Sequence, residues 1–151
     1  MRIYLDICCF NRPFDSQSEL LVRLQTEAKL HVQEMIRAGS LALAWSAMMD
    51  IENIANPDLN RKLAIADWQQ IAVADVGINS QVEALAESLG QLGVKPMDAL
   101  HVACAIEARA EYFLTTDKAL LRKMARRDDI KVVDPVDFIR ALKDGNDENR
   151  Y

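Results

Sequence analysis

The chain has 151 residues, half of them hydrophobic and 27% charged, with a formal net charge of −5. That balance is ordinary for one globular domain with a proper core. No apolar run approaches the roughly 18 residues of a membrane span, and an acidic chain has no general attraction for nucleic acid.

Arg2 to Asp6 is a short apolar strand closed by an acid. It turns acidic too early for a secretion signal and reads as the first core strand of a cytoplasmic protein. Cys8 and Cys9 lack C-x-x-C spacing, so with Cys104 they fit a reducing compartment as small apolar fillers. Residues 17–38 have helical spacing (Leu20, Leu24, Ala28, Val32, Met35, Ile36) and stop at Gly39. A continuous apolar run, Leu41 to Trp45, predicts a second buried strand. Ser46 then caps a helix that ends at the Asn56-Pro57 step. A helix over 58–68 precedes a third strand at 70–74. Ser80 and Glu83 form a capping box for the next helix, which Gly90 and Gly93 break. Pro96 starts a helix over 97–109. The strand 111–116, a helix over about 117–126, the strand 130–133 and a helix begun by Asp134-Pro135 complete the pattern. Nothing divides the chain, so residues 1–142 are expected as one domain, with 143–151 a polar, frayed tail.

Strands separated by helices imply a mainly parallel sheet covered on both faces, with ligands bound beyond the carboxyl ends of the strands. Asp6 and Asp117 end two strands and so fall on one rim. Asp98 opens an apolar helix, where the helix dipole alone explains an acid; Asp117 reads equally as an N-cap. Asp6 has no predicted helix to cap, and Glu52 interrupts an apolar surface. Carboxylates gathered on one rim repel each other unless a hard divalent cation, Mg²⁺ or Mn²⁺, takes them as ligands. Asp50 and Glu52 point about 200° apart on a helix, so only one can face the site, and Glu52 is favoured.

Four segments carry a family resemblance: Arg2-Ile3-Tyr4-Leu5-Asp6, Trp45-Ser46 followed by Glu52, Lys95-Pro96-Met97-Asp98-Ala99-Leu100-His101, and Phe113-Leu114-Thr115-Thr116-Asp117. Across nearly the whole chain this resembles the PIN-domain nucleases, particularly VapC-type toxin ribonucleases and their stand-alone relatives. The resemblance implies a three-layer α/β/α sandwich around a parallel sheet of about five strands, with Asp6, Glu52, Asp98 and Asp117 as metal-binding catalytic acids. It also implies RNA as substrate, a small antitoxin that inserts into the acidic groove, and homodimerisation. Many relatives carry Asp-Thr-Asn or Asp-Ser-Asn where this chain has Asp6-Ile7-Cys8.

Ser46, Thr115 and Thr116 are candidates for hydrogen bonds that support the acids. Arg12 is a candidate phosphate contact or a solvated loop residue. Lys118, Arg122 and Arg126 recur every four residues, as a backbone-binding strip or a solvated helix face. His101 reads as a core or supporting histidine rather than a general base, and Trp45 and Trp68 as packing residues. The leading expectation is a Mg²⁺- or Mn²⁺-dependent endoribonuclease. The alternatives are a catalytically degenerate PIN-like RNA- or protein-binding module, and a metal-dependent phosphatase or phospho-receiver.

Overall fold

The computed structural model describes residues 1–11 and 16–148. Arg12 lies outside the described residues. Five strands form one sheet in the order β3-β2-β1-β4-β5, and every neighbouring pair is parallel. In chain order these are β1 (Arg2–Leu5), β2 (Ala42–Ser46), β3 (Ala74–Val76), β4 (Tyr112–Leu114) and β5 (Lys131–Val133). The helices are α1 (Ile7–Asn11), α2 (Leu20–Arg37), α3 (Ala47–Ile54), α4 (Leu59–Asp67), α5 (Ser80–Gly90), α6 (Pro96–Glu107), α7 (Lys118–Met124) and α8 (Pro135–Glu148).

A parallel sheet covered on both sides needs strands that are apolar at successive positions. The central strands meet that demand: Ile3, Tyr4 and Leu5 of β1 and Leu43, Ala44 and Trp45 of β2 are all buried. Burying each large side chain contributes about 1.5–3 kcal/mol. Tyr4 stacks on Phe113 across the β1–β4 pair, ring centroids 5.2 Å apart. Helix α2 packs on α8, and α5 packs along α6, giving the three-layer α/β/α sandwich of PIN-like type. Gly39, at φ +80, provides the left-handed residue that ends α2.

Four local expectations are corrected. The third strand is Ala74–Val76, and residues 68–71 form a 3₁₀ turn instead. Ile71 and Val73 are 45% and 58% exposed, so their apolar, β-branched character does not mark a buried strand. A short helix, α1, follows Asp6 directly; Asp6 Oδ1 accepts from the Ile7 amide at 2.8 Å, so the acid does start a helix. The N-cap of α5 is Asn79, whose side chain accepts from the Val82 amide, and Ser80 is the first helical residue. Helix α8 runs to Glu148, into the polar segment that begins at 143, and Phe138 in its first turn is fully buried.

The chain lays β2 and β3 on one side of β1, then returns to place β4 and β5 on the other. The connections therefore diverge between β1 and β4, and crevices open at such switch points beyond the carboxyl ends of the strands.

Candidate metal centre

Asp6 sits at this switch point. Its amide bonds the Leu114 carbonyl at 2.9 Å, which extends the β1–β4 pairing by one residue. Its carboxylate is 7% exposed and is held from three sides. Oδ1 takes the Ile7 amide, and Oδ2 takes the Thr115 hydroxyl at 2.8 Å and the Cys8 thiol at 3.4 Å. Thr115 Oγ1 also accepts the Asp117 amide at 3.1 Å, so one fully buried hydroxyl ties two acids together. Burial pushes the Asp6 carboxyl above its usual range and Glu52 adds to the push, while His101 and the Thr115 hydrogen bond oppose it.

Glu52 lies on α3, Oε1 2.8 Å from His101 Nε2 on α6. The angle of that approach leaves the buried Nε2 without a well-directed hydrogen bond. The other ring nitrogen, Nδ1, is 2.8 Å from the Tyr4 hydroxyl, which is 2.6 Å from Ser46 Oγ. Burial keeps the Tyr4 hydroxyl protonated far above its ordinary range. The Ser46–Tyr4–His101 chain can carry its protons in either direction. One arrangement leaves Nε2 a donor toward Glu52; the other frees its lone pair for a cation.

Asp6, Glu52 and His101 each offer one ligand atom, and these atoms lie within 4.8 Å of one another. Two carboxylate oxygens and an imidazole nitrogen suit a first-row divalent ion. The poorly satisfied Nε2 is the buried polar atom such an ion would satisfy, so the residues present fit a metal.

The other two expected acids border this group and are not within it. Asp98 is part-buried in the first turn of α6; desolvation raises its carboxyl first, and then Asp6 and Asp117 do so. Asp117 is the N-cap of α7: Oδ1 accepts from the Ala119 and Leu120 amides at 2.9 and 3.2 Å. The acids thus share one electrostatic neighbourhood, with Asp117 also filling its capping role. Asp50 faces away, accepting the Trp45 indole N–H at 3.0 Å.

Thr115 bonds Asp6 and the Asp117 amide, whereas Ser46 reaches no acid and bonds the Tyr4 hydroxyl and the Met48 amide. Thr116 contributes its amide, 3.4 Å from Cys8 Sγ. Lys118, Arg122 and Arg126 are exposed, but α7 ends at Met124, so Arg126 does not continue the helical strip. Arg127 is paired with Asp129.

Sequence alone does not bring Tyr4 or Cys8 to the site, and leaves His101 as a core or supporting residue. Tyr4 and Asp6 are two apart on one strand and so share a face; His101 is one turn after Asp98. Those spacings were the available signals. Cys8 had none, because a thiol supporting a carboxylate has no sequence signature.

A cleft of about 420 Å³ adjoins Glu52, lined in part by Ile7, Asn11, Ile51, Met97 and Arg61.

The parallel five-stranded sandwich with acids at its switch point is the PIN-like class of fold. The solved structures most like it include FitAcB from Neisseria gonorrhoeae, 13% identical with a TM-score of 0.56 over 88% of this chain and 97% of that one. DNA-bound VapBC from Salmonella typhimurium is 19% identical, with a TM-score of 0.56 over 89% and 98%. VapBC2 from Rickettsia felis, bound to a DNA fragment from its promoter, is 14% identical, with a TM-score of 0.55 over 87% and 97%. These likenesses establish the fold. No family model and no curated protein matches the chain.

Proposed function

We propose that the chain is a metal-dependent endoribonuclease, the toxin of a toxin–antitoxin pair. The observation that carries this reading is the meeting of Asp6, Glu52 and His101 within 4.8 Å at the β1/β4 switch point. Asp98, raised by Asp6 and Asp117, borders that meeting.

Asp6 and Glu52 would hold Mg²⁺ or Mn²⁺, with Asp98 and Asp117 completing the negative rim. When bound, the ion supplies charge neutralisation at phosphorus and lowers the pKa of an attacking water. Thr115 and Cys8 fix the Asp6 carboxylate, so its oxygens need no reorganisation when substrate arrives. Glu52 and His101, linked back to Tyr4 and Ser46, form a proton-holding chain beside the reacting centre. Lys118 and Arg122 offer the local positive charge that an acidic chain needs for a phosphate backbone. RNA rather than DNA, an antitoxin that enters the acidic rim, and a homodimer follow from the VapC-type resemblance.

A degenerate, non-cutting relative is the reading that Asp6-Ile7-Cys8 favours, because it lacks the small polar residues found there in many relatives. Cys8 Sγ contacts Asp6 Oδ2, so the thiol occupies the supporting position that the departure had put in question. This favours an active site. Single-stranded RNA incubated with Mn²⁺ should be cut, and cutting should stop with EDTA or in Asp6→Asn. Cleavage that persists in both would remove the proposal.

A further inference from the structure

Lys29 and Gln33 stand one helical turn apart on α2 and both are buried, 4% and 6% exposed. Lysine is almost never buried unless an anion pairs with it. Among the described residues Lys29 makes no hydrogen bond or ion pair, and its ammonium lies 5.4 Å from the centre of the Phe10 ring. Gln33 Nε2 is buried with no acceptor. Desolvation lowers the Lys29 pKa to about 8, which leaves it mostly cationic at neutral pH. Both residues line a cavity of about 180 Å³ between α2 and α4, walled by Phe10, Ile65 and Trp68. Arg37 lies over the Trp68 ring at 4.5 Å and adds positive charge at that edge.

Among the described residues, two donors without an acceptor, the Lys29 ammonium and Gln33 Nε2, define the ligand's polar end, and the aromatic and aliphatic walls define its body. A cavity of roughly 150 Å³ is enough for a benzene ring. The geometry points to a binding site for a small carboxylic acid with a ring-sized apolar body, its carboxylate on Lys29 and Gln33 and its body between Phe10, Ile65 and Trp68. None of the acids of the metal centre lines this cavity, so the inference stands apart from the nuclease reading.

The test is calorimetric titration of the full chain with phenylacetate, alongside phenylacetamide, acetate and N-acetylphenylalanine. Phenylacetate should bind saturably at roughly millimolar affinity. Binding should weaken about tenfold or more for phenylacetamide, for acetate and for Lys29→Met, since each loses the ion pair or the ring. Gln33→Leu should weaken it less, and gives a second comparison should Lys29→Met not fold. Absence of saturable phenylacetate binding overturns the assignment. So does equal binding of phenylacetamide, or unchanged affinity in Lys29→Met. Binding of N-acetylphenylalanine alone would assign the cavity to a chain-terminal carboxylate and overturn the small-acid reading.

Discussion

Asp6 and Lys29 are opposite charges treated alike by the fold: both are buried, and both are pushed toward neutrality by desolvation. For Lys29 the drop from 10.5 to about 8 amounts to a penalty on the order of 3 kcal/mol at neutral pH. The sign follows from proton counting. Between about pH 8 and 10.5 the unfolded chain holds this proton more than the folded one, so stability rises with pH across that window. Below the window the penalty is fully present. Lys29→Met should therefore melt roughly 5–10 °C higher at neutral pH, and its advantage should shrink as pH climbs through that range. Melting curves of both proteins against pH check this; equal slopes would refute it. At Cys8, replacement by Ser should preserve Mn²⁺ affinity, whereas Cys8→Val should weaken it about 10- to 100-fold by releasing Asp6 Oδ2. Calorimetry with Mn²⁺ distinguishes the two.

At the scale of elements, β1 delivers two functional side chains to one side of the sheet, Tyr4 and Asp6. Tyr4→Phe removes the hydroxyl between Ser46 and His101 and leaves both buried groups short of a partner. A loss of about 1–3 kcal/mol in urea unfolding is expected, together with reduced metal affinity. Much of this level was legible beforehand. β1, β2, the Ser46 cap and the Pro96 start follow from local rules that tertiary packing does not override. The third strand lies later than expected because the largely apolar run from Ile71 to Ala74 leaves a 3₁₀ turn and only reaches the edge strand at Ala74, and burial cannot be told from apolar character alone. α1 was hidden because Ile7-Cys8-Cys9-Phe10 continues the apolar run of β1 with no cap signal beyond Asp6 itself. At the candidate metal centre, Asp6 and Glu52 stood out as acids that interrupt apolar surface, and the set of four acids rested on the family resemblance. His101's closeness to Glu52 could not, since it depends on how α3 and α6 pack.

For the whole molecule, the cost of gathering acids should be visible in the apoprotein and reversed on loading. In EDTA, Asp6→Asn should melt a few degrees above the native protein, because an amide relieves desolvation and repulsion together. Added Mn²⁺ at about 100 times its Kd should stabilise the native chain by about 2.7 kcal/mol, and the variant by almost nothing. Thermal scans with and without metal would show the order of the two proteins inverting. No inversion would argue that Asp6 takes no part in binding an ion.

The bond between Thr115 and Asp6 joins positions 109 residues apart. A chain growing from a ribosome would expose Asp6 long before β4 and Thr115 exist to receive it, and a closure of that length cannot form until they do. Synthesis halted upstream of Phe113 would thus yield a product that carries the early carboxylates but lacks the hydroxyl that orients one of them. Competence, on this topology, waits for β4 and the threonine that follows it.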